Sequence, residues 1–143
     1  MANKFRSELE NDNLSPQEIS KRVTRSKDRI LSAPVVIILS VDMTDMDKYP
    51  DEHRTKAEYV MAIQSVANAG MQLLLAAHAE GLGSVWVCSP LFAQDTVQAV
   101  LNLPKTWEPQ AMYFLGLPAE IPQARERKSI KEISKWSQTS PDV

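Results

Sequence analysis

The run from Ala57 to Ser89 constrains this chain more than any other part of it. Residues of high helix propensity continue to Glu80, and Gly81 then stands where a helix needs a left-handed C-cap, a conformation glycine enters without steric cost. Gly83 frees the backbone to turn at once into a strand, Ser84–Cys88. The helix itself is expected from about Glu52 to Glu80, which at roughly 1.5 Å per residue makes it about 40 Å long. After Val60 it carries Ala, Met, Leu and Val over most of its circumference, so it is expected to be buried on more than one side and to be shareable between subunits. A buried helix, a two-glycine hinge and a short apolar strand ending in small residues are the layout of a site built from backbone.

The flanking segments supply the remaining elements. Ser15-Pro16-Gln17-Glu18 combines an N-cap serine, a proline at the first helical position and a glutamate placed for a capping box, so a helix starts there. Its apolar positions Ile19, Val23, Ile30 and Leu31 form one narrow buried stripe among Lys21, Arg22, Arg25, Lys27, Asp28 and Arg29, whose charges read as a solvated face. Ala33-Pro34 ends this helix, and Val35–Val41 is a β-branched run that predicts a central strand covered on both faces. Asp42–Asp51 is a polar loop. Beyond Cys88 come Pro90-Leu91-Phe92, a helix near Ala93–Leu101, Leu103-Pro104 and a strand at about Gln110–Leu117. The alternation of helix and strand predicts an α/β or α+β layered domain.

Composition excludes several classes. With 143 residues, 43% of them hydrophobic, the chain suits one domain over 1–143, with a polar tail at 137–143. A formal net charge of −2 gives no basic footprint for nucleic acid. No uninterrupted apolar run reaches the roughly 20 residues that span a bilayer, and Met1–Arg6 does not lead into a signal-peptide apolar region. The expectation is a soluble, cytoplasmic protein. One cysteine and two histidines leave too few soft ligands for a structural zinc site, so no metal is expected.

Side-chain chemistry is sparse. Neither Gly-x-Gly-x-x-Gly nor Gly-x-x-x-x-Gly-Lys occurs, and the four glycines exclude the standard nucleotide phosphate loops. Ser84 and Ser89 lack a nucleophile elbow. His78 reads as a helix-packing residue and Cys88 as an inert buried thiol. Asp42, Asp45 and Asp47 alternate like calcium ligands but lack the glycine and closing glutamate of an EF-hand. Trp86, Trp107 and Trp136 read as packing residues. Arg125-Glu126-Arg127-Lys128 carries three cations in four residues, readable as a phosphate clamp or as a solvated tail.

Ala67–Ser89, followed by Leu101-Asn102-Leu103-Pro104, Trp107-Glu108-Pro109 and Leu115-Gly116-Leu117-Pro118, resembles the C-terminal half of the FMN-dependent nitroreductase superfamily. Ala33-Pro34, Tyr49-Pro50-Asp51, Arg54-Thr55 and Ala57-Glu58 make it most similar to the nitroreductase-like domain attached to the γ-glutamyl ligase of the deazaflavin coenzyme. The resemblance implies an α+β nitroreductase-like fold with a mixed or antiparallel sheet flanked by helices. It also implies a homodimer about the long central helix, with FMN at the interface. Trp86, Val87, Cys88 and Ser89 would pass the flavin ring, the Cys88 backbone N–H reaching the N5 region. Arg125 and Arg127, with Lys128 as a near alternative, would meet the flavin phosphate. The implied activity is ping-pong hydride transfer from NAD(P)H through flavin N5 to a nitroaromatic, quinone or deazaflavin-type acceptor. Met1–Leu14 lacks the family's Arg-Arg-Ser-x-Arg type segment, so the fold is expected to be N-terminally shortened. The alternatives are a non-enzymatic ligand-binding or interaction module, or a longer product with that segment encoded upstream.

Overall fold

The computed structural model describes residues 2–137; of the expected polar tail only Ser137 falls within them. Helix α1, Ala2–Asn11, and helix α2, Pro16–Ser32, form a hairpin that closes on Leu9, Ile19 and Val23, flanked by Ala2 and Leu14. The N-cap of α2 is as expected: the Ser15 hydroxyl accepts from the Glu18 N–H at 3.3 Å, with proline at the first helical position. Leu31 departs from the expected stripe and is 82% exposed. Helix α1 was not anticipated, although Ala2, Phe5 and Leu9 carry helical spacing.

Three strands form an antiparallel sheet in the order β1-β3-β2, with β1 at Val35–Asp42, β2 at Gly83–Val87 and β3 at Trp107–Gly116. The expectation for β1 is corrected: it is an edge strand, and Val35 and Val36 are exposed. A continuous β-branched run shows that a segment suits a strand, not whether both neighbours are in the same chain. The central strand is β3. It begins earlier than expected and carries Pro109, which cannot donate to a ladder; the register slips there, pairing Leu39 with Ala111 and Ser40 with Pro109. Helix α4, Gln94–Leu101, is tied to β3 where Gln94 Nε2 donates to the Pro109 carbonyl at 3.1 Å and Gln98 Nε2 to that of Trp107 at 2.6 Å.

The long helix α3, Glu52–Ala79, is capped by Asp51, whose side chain accepts the Arg54 N–H at 2.9 Å. At its other end Gly81 takes φ +75°, its N–H donating to the His78 carbonyl while that of Leu82 reaches Ala77, a Schellman closure. Along its length α3 meets β1 and β2. At Gly70 the approach is so close that a Cβ would overlap the Tyr113 hydroxyl and lie 3.0 Å from Leu39 Cδ2. The expected burial all round is not found within the chain: Val60, Met61, Met71 and Leu75 are exposed. By length and composition α3 also suffices to cross a membrane, which corrects the expectation that no apolar run approaches that length; Gln64, Ser65, Asn68 and Gln72 interrupt the run but leave its average that of a span.

Gly70→Ala should destabilise the fold. Overpacking costs about 1–3 kcal/mol, more than the ~1 kcal/mol that alanine gains over glycine in a helix. In a Tyr113→Phe background the loss should shrink, and urea denaturation of both single variants and the double variant measures the coupling. Gly81→Ala should cost about 1–2 kcal/mol from the left-handed backbone alone, since nothing lies within 4 Å of a Cβ there; Gly81→Asn should cost less in the same assay.

Candidate functional site

Strand β2 delivers its last residues to the mouth of a cavity. The chain leaves Val87 through Cys88 into a 3₁₀ turn, Ser89–Phe92, in which the buried Pro90 fixes the backbone and the Leu91 N–H donates to the Cys88 carbonyl at 3.1 Å. Between this turn and the α1–α2 hairpin lies a space of about 590 Å³, within the usual range of roughly 300–1,000 Å³ for small-molecule sites. Cys88, Ser89, Phe92 and Ala93 form one wall. The hairpin forms the other, with Phe5 and Ile30 as apolar surface and Lys4, Glu8, Asp12, Ser26 and Lys27 as polar groups.

Of the residues expected at the site, Cys88 and Ser89 line this cavity. Trp86 and Val87 lie just behind on β2, half-buried. Trp86 packs against Tyr113 with ring centroids 5.2 Å apart at 57°, and its indole N–H points to Cys88 Sγ at 3.1 Å. Cys88 is exposed, which corrects the buried-thiol expectation: the strand ends one residue before it. Arg125, Arg127 and Lys128 are exposed on the segment after β3 and do not line the cavity. His78 is exposed in the last turn of α3, not packed into the core. Trp107 and Trp136 are exposed too, so of the three tryptophans Trp86 has the clearest packing role. In the acidic loop, Asp42 accepts from the Thr44 N–H at 2.9 Å and from the Thr44 and Thr106 hydroxyls, which hold its carboxyl below the usual range.

The hairpin residues Lys4, Phe5, Ser26 and Lys27 were missed as site candidates. They match no motif, and only the i, i+3, i+7 spacing of Ala2, Phe5 and Leu9 could have revealed the helix that presents two of them. The lining offers apolar side chains that suit a flat ring, the hydroxyls of Ser26 and Ser89 for hydrogen bonding, and two ammonium groups offset by the carboxylates of Glu8 and Asp12.

The chain matches the nitroreductase family over residues 1–117, and it belongs to that family. Among its relatives is a protein of Methanothermobacter thermautotrophicus (strain Delta H) with the provisional name NADH dehydrogenase/NAD(P)H nitroreductase. The two are 33% identical over 101 residues, which make up 68% of this chain and 47% of that protein. The chain thus spans about half the length of this relative. Among solved structures it is similar to a BluB-like flavoprotein of Clostridium difficile 630, with a TM-score of 0.69, 22% identity, and coverage of 96% of this chain and 71% of the other. It also resembles NfrA1 of B. megaterium, with a TM-score of 0.62, 19% identity, and coverage of 90% and 57%. At these identities the likeness is one of fold.

Beneath Trp86, Tyr113 is 0% exposed and its hydroxyl has no partner among the described residues. Burial raises its phenol above the ordinary 10.0, and negative charge at the nearby Cys88 pushes the same way. The unfolded chain ionises this group near pH 10 while the folded chain keeps it neutral. Its contribution to stability is therefore complete below about pH 10 and is lost as pH rises toward the folded value. Denaturation midpoints measured from pH 8 to 11 should fall above pH 10, and less steeply in Tyr113→Phe.

Proposed function

We propose that this chain is a flavin-dependent oxidoreductase unit that binds FMN and transfers electrons from NAD(P)H to a small acceptor. The observation that carries the proposal is the cavity at the end of β2, with Cys88 and Ser89 in one wall and the aromatic and aliphatic surface of Phe5, Ile30 and Phe92 around it. Family membership and the flavoprotein among the fold relatives support the choice of cofactor. A bound FMN would supply the two-electron chemistry. The protein's contribution would be position and electrostatics.

In this scheme the backbone from Trp86 to Ser89 would hold the flavin, and the Cys88 N–H would serve as a fixed hydrogen-bond donor to it, so no acid or base side chain would be needed. Trp86 holds that backbone by its contact with Tyr113. NAD(P)H and the acceptor, a nitroaromatic, a quinone or a deazaflavin-type molecule, would use the mouth in turn, a ping-pong order.

The exposed Val60, Met61, Met71 and Leu75 on α3 support a homodimer about that helix. Burying a side chain of this kind contributes about 1.5–3 kcal/mol. Arg125 and Arg127 keep their proposed phosphate role only as groups brought in by the segment after β3.

Purified protein titrated with FMN should acquire the visible flavin band, and anaerobic NADH or NADPH should bleach it. Protein that binds no FMN even at millimolar concentration would instead support a non-enzymatic interaction module.

A further inference from the structure

We propose that the α1–α2 hairpin is a lid: it swings as one rigid lobe about Ala33–Pro34, opening and closing the cavity between itself and the turn after β2. The inference goes beyond the flavin proposal, because it concerns how a wall of the cavity moves and not what the cavity holds. The hairpin carries its own core. Leu9, Ile19 and Val23 pack together with Ala2 and Leu14, and all five belong to α1, α2 or the turn between them. The two helices meet each other broadly, but neither meets a strand or another helix to a comparable extent. Among the described residues no hydrogen bond or ion pair joins the hairpin to the rest of the chain. A unit packed within itself and tied to its neighbour by little but the chain moves as a body.

The pivot is narrow. Helix α2 ends at Ser32, Ala33 is extended at φ −71° and ψ 126°, and the pairing of β1 with β3 begins at Val35 opposite Leu115. Pro34, between them, has a fixed φ and no N–H, and its ring lies so close to Gly116 that a Cβ there would stand 2.9 Å from Pro34 Cδ. That ring seats the base of the hinge on the sheet. A residue before proline is confined to ψ of about +120 to +160°, a window wide enough for a swing and too narrow for the lobe to hang free. The surfaces on either side of the cavity are apolar: Phe5 and Ile30 on the hairpin, and on the turn Phe92, which is 72% exposed. Closing withdraws these side chains from water, and a flat ligand lying between them would be enclosed on both faces.

Pulsed electron spin resonance between paired spin labels tests the lid in the full chain carrying Cys88→Ser, which leaves no other thiol. Labels at Thr24→Cys and Val100→Cys, both exposed, span hairpin and body. Thr24 stands nine residues before Ala33, about 13 Å along the helix axis, so a swing of roughly 20° moves it about 4–5 Å. The hairpin-to-body distance should therefore be spread over at least that range. Pairs within the hairpin, Arg6→Cys with Thr24→Cys, and within the body, His78→Cys with Val100→Cys, should each give one narrow distance. Pro34→Gly should widen the hairpin-to-body spread and leave the other two unchanged. Saturating FMN should narrow that spread toward its short end. A hairpin-to-body distance as narrow as the two internal ones overturns the lid, as does a hairpin pair that spreads equally, or bound FMN that leaves the distribution unaltered; in each case the flavin proposal stands. A spread hairpin-to-body distance in protein that binds no FMN supports the lid and overturns the flavin proposal alone.

Discussion

The contact of Gly70 with Tyr113 is the constraint on which the rest of the molecule depends. It brings a helix of 28 residues down onto the central strand at a point where any side chain larger than hydrogen would hold it off. Tyr113 is covered from that side by α3 and packs with Trp86 across the β2–β3 pairing. One buried ring therefore fixes the helix, the central strand and the strand that ends at Cys88. The cost is a hydroxyl sealed away without a partner, a group whose desolvation is ordinarily worth about 1–3 kcal/mol. Its retention is explained by what the ring positions, not by what the hydroxyl binds.

What this chain leaves uncovered is as informative as what it packs. Helix α3 buries Glu58, Ala62, Gly70 and Ala77 and leaves Val60, Met61, Met71 and Leu75 outward, while β1 shows Val35 and Val36 on an edge. Apart from Glu58 the buried positions are small and the large apolar ones are exposed, an inversion of the usual arrangement of a surface helix. Its sheet side is thus closed by small residues, while its outer side leaves apolar surface open. The same inversion gives α3 the length and apolar composition of a membrane span although it rests on its own sheet.

The sequence was most legible where stereochemistry is local. Ser15 and Pro16 start α2, Ala33-Pro34 ends it, and Gly81 closes α3 with the φ it was expected to need. Legibility failed where the outcome depends on what lies beside a segment. The run Val35–Val41 has the composition of a covered strand but lies at an edge. Cys88 follows an apolar strand yet is exposed, because the pairing with β3 stops at Val87. Pro109 masked the start of β3, since a register slip that admits proline to a central strand leaves no mark in the residues themselves.

The candidate site divides along the same line. Its strand wall was legible because the hinge and the strand after it are contiguous, and a site made from backbone keeps a recognisable spacing even when side chains vary. Its helical wall was not, because Lys4 and Lys27 lie on two helices separated by a turn and come to line one cavity only once Leu9 has found Ile19 and Val23. A lysine on a charged helix surface has no local signature that separates a ligand contact from a solvated residue. Only the packing of the two helices brings such residues to a cavity, so the helical wall of the candidate site is written in tertiary structure and its strand wall in contiguous sequence.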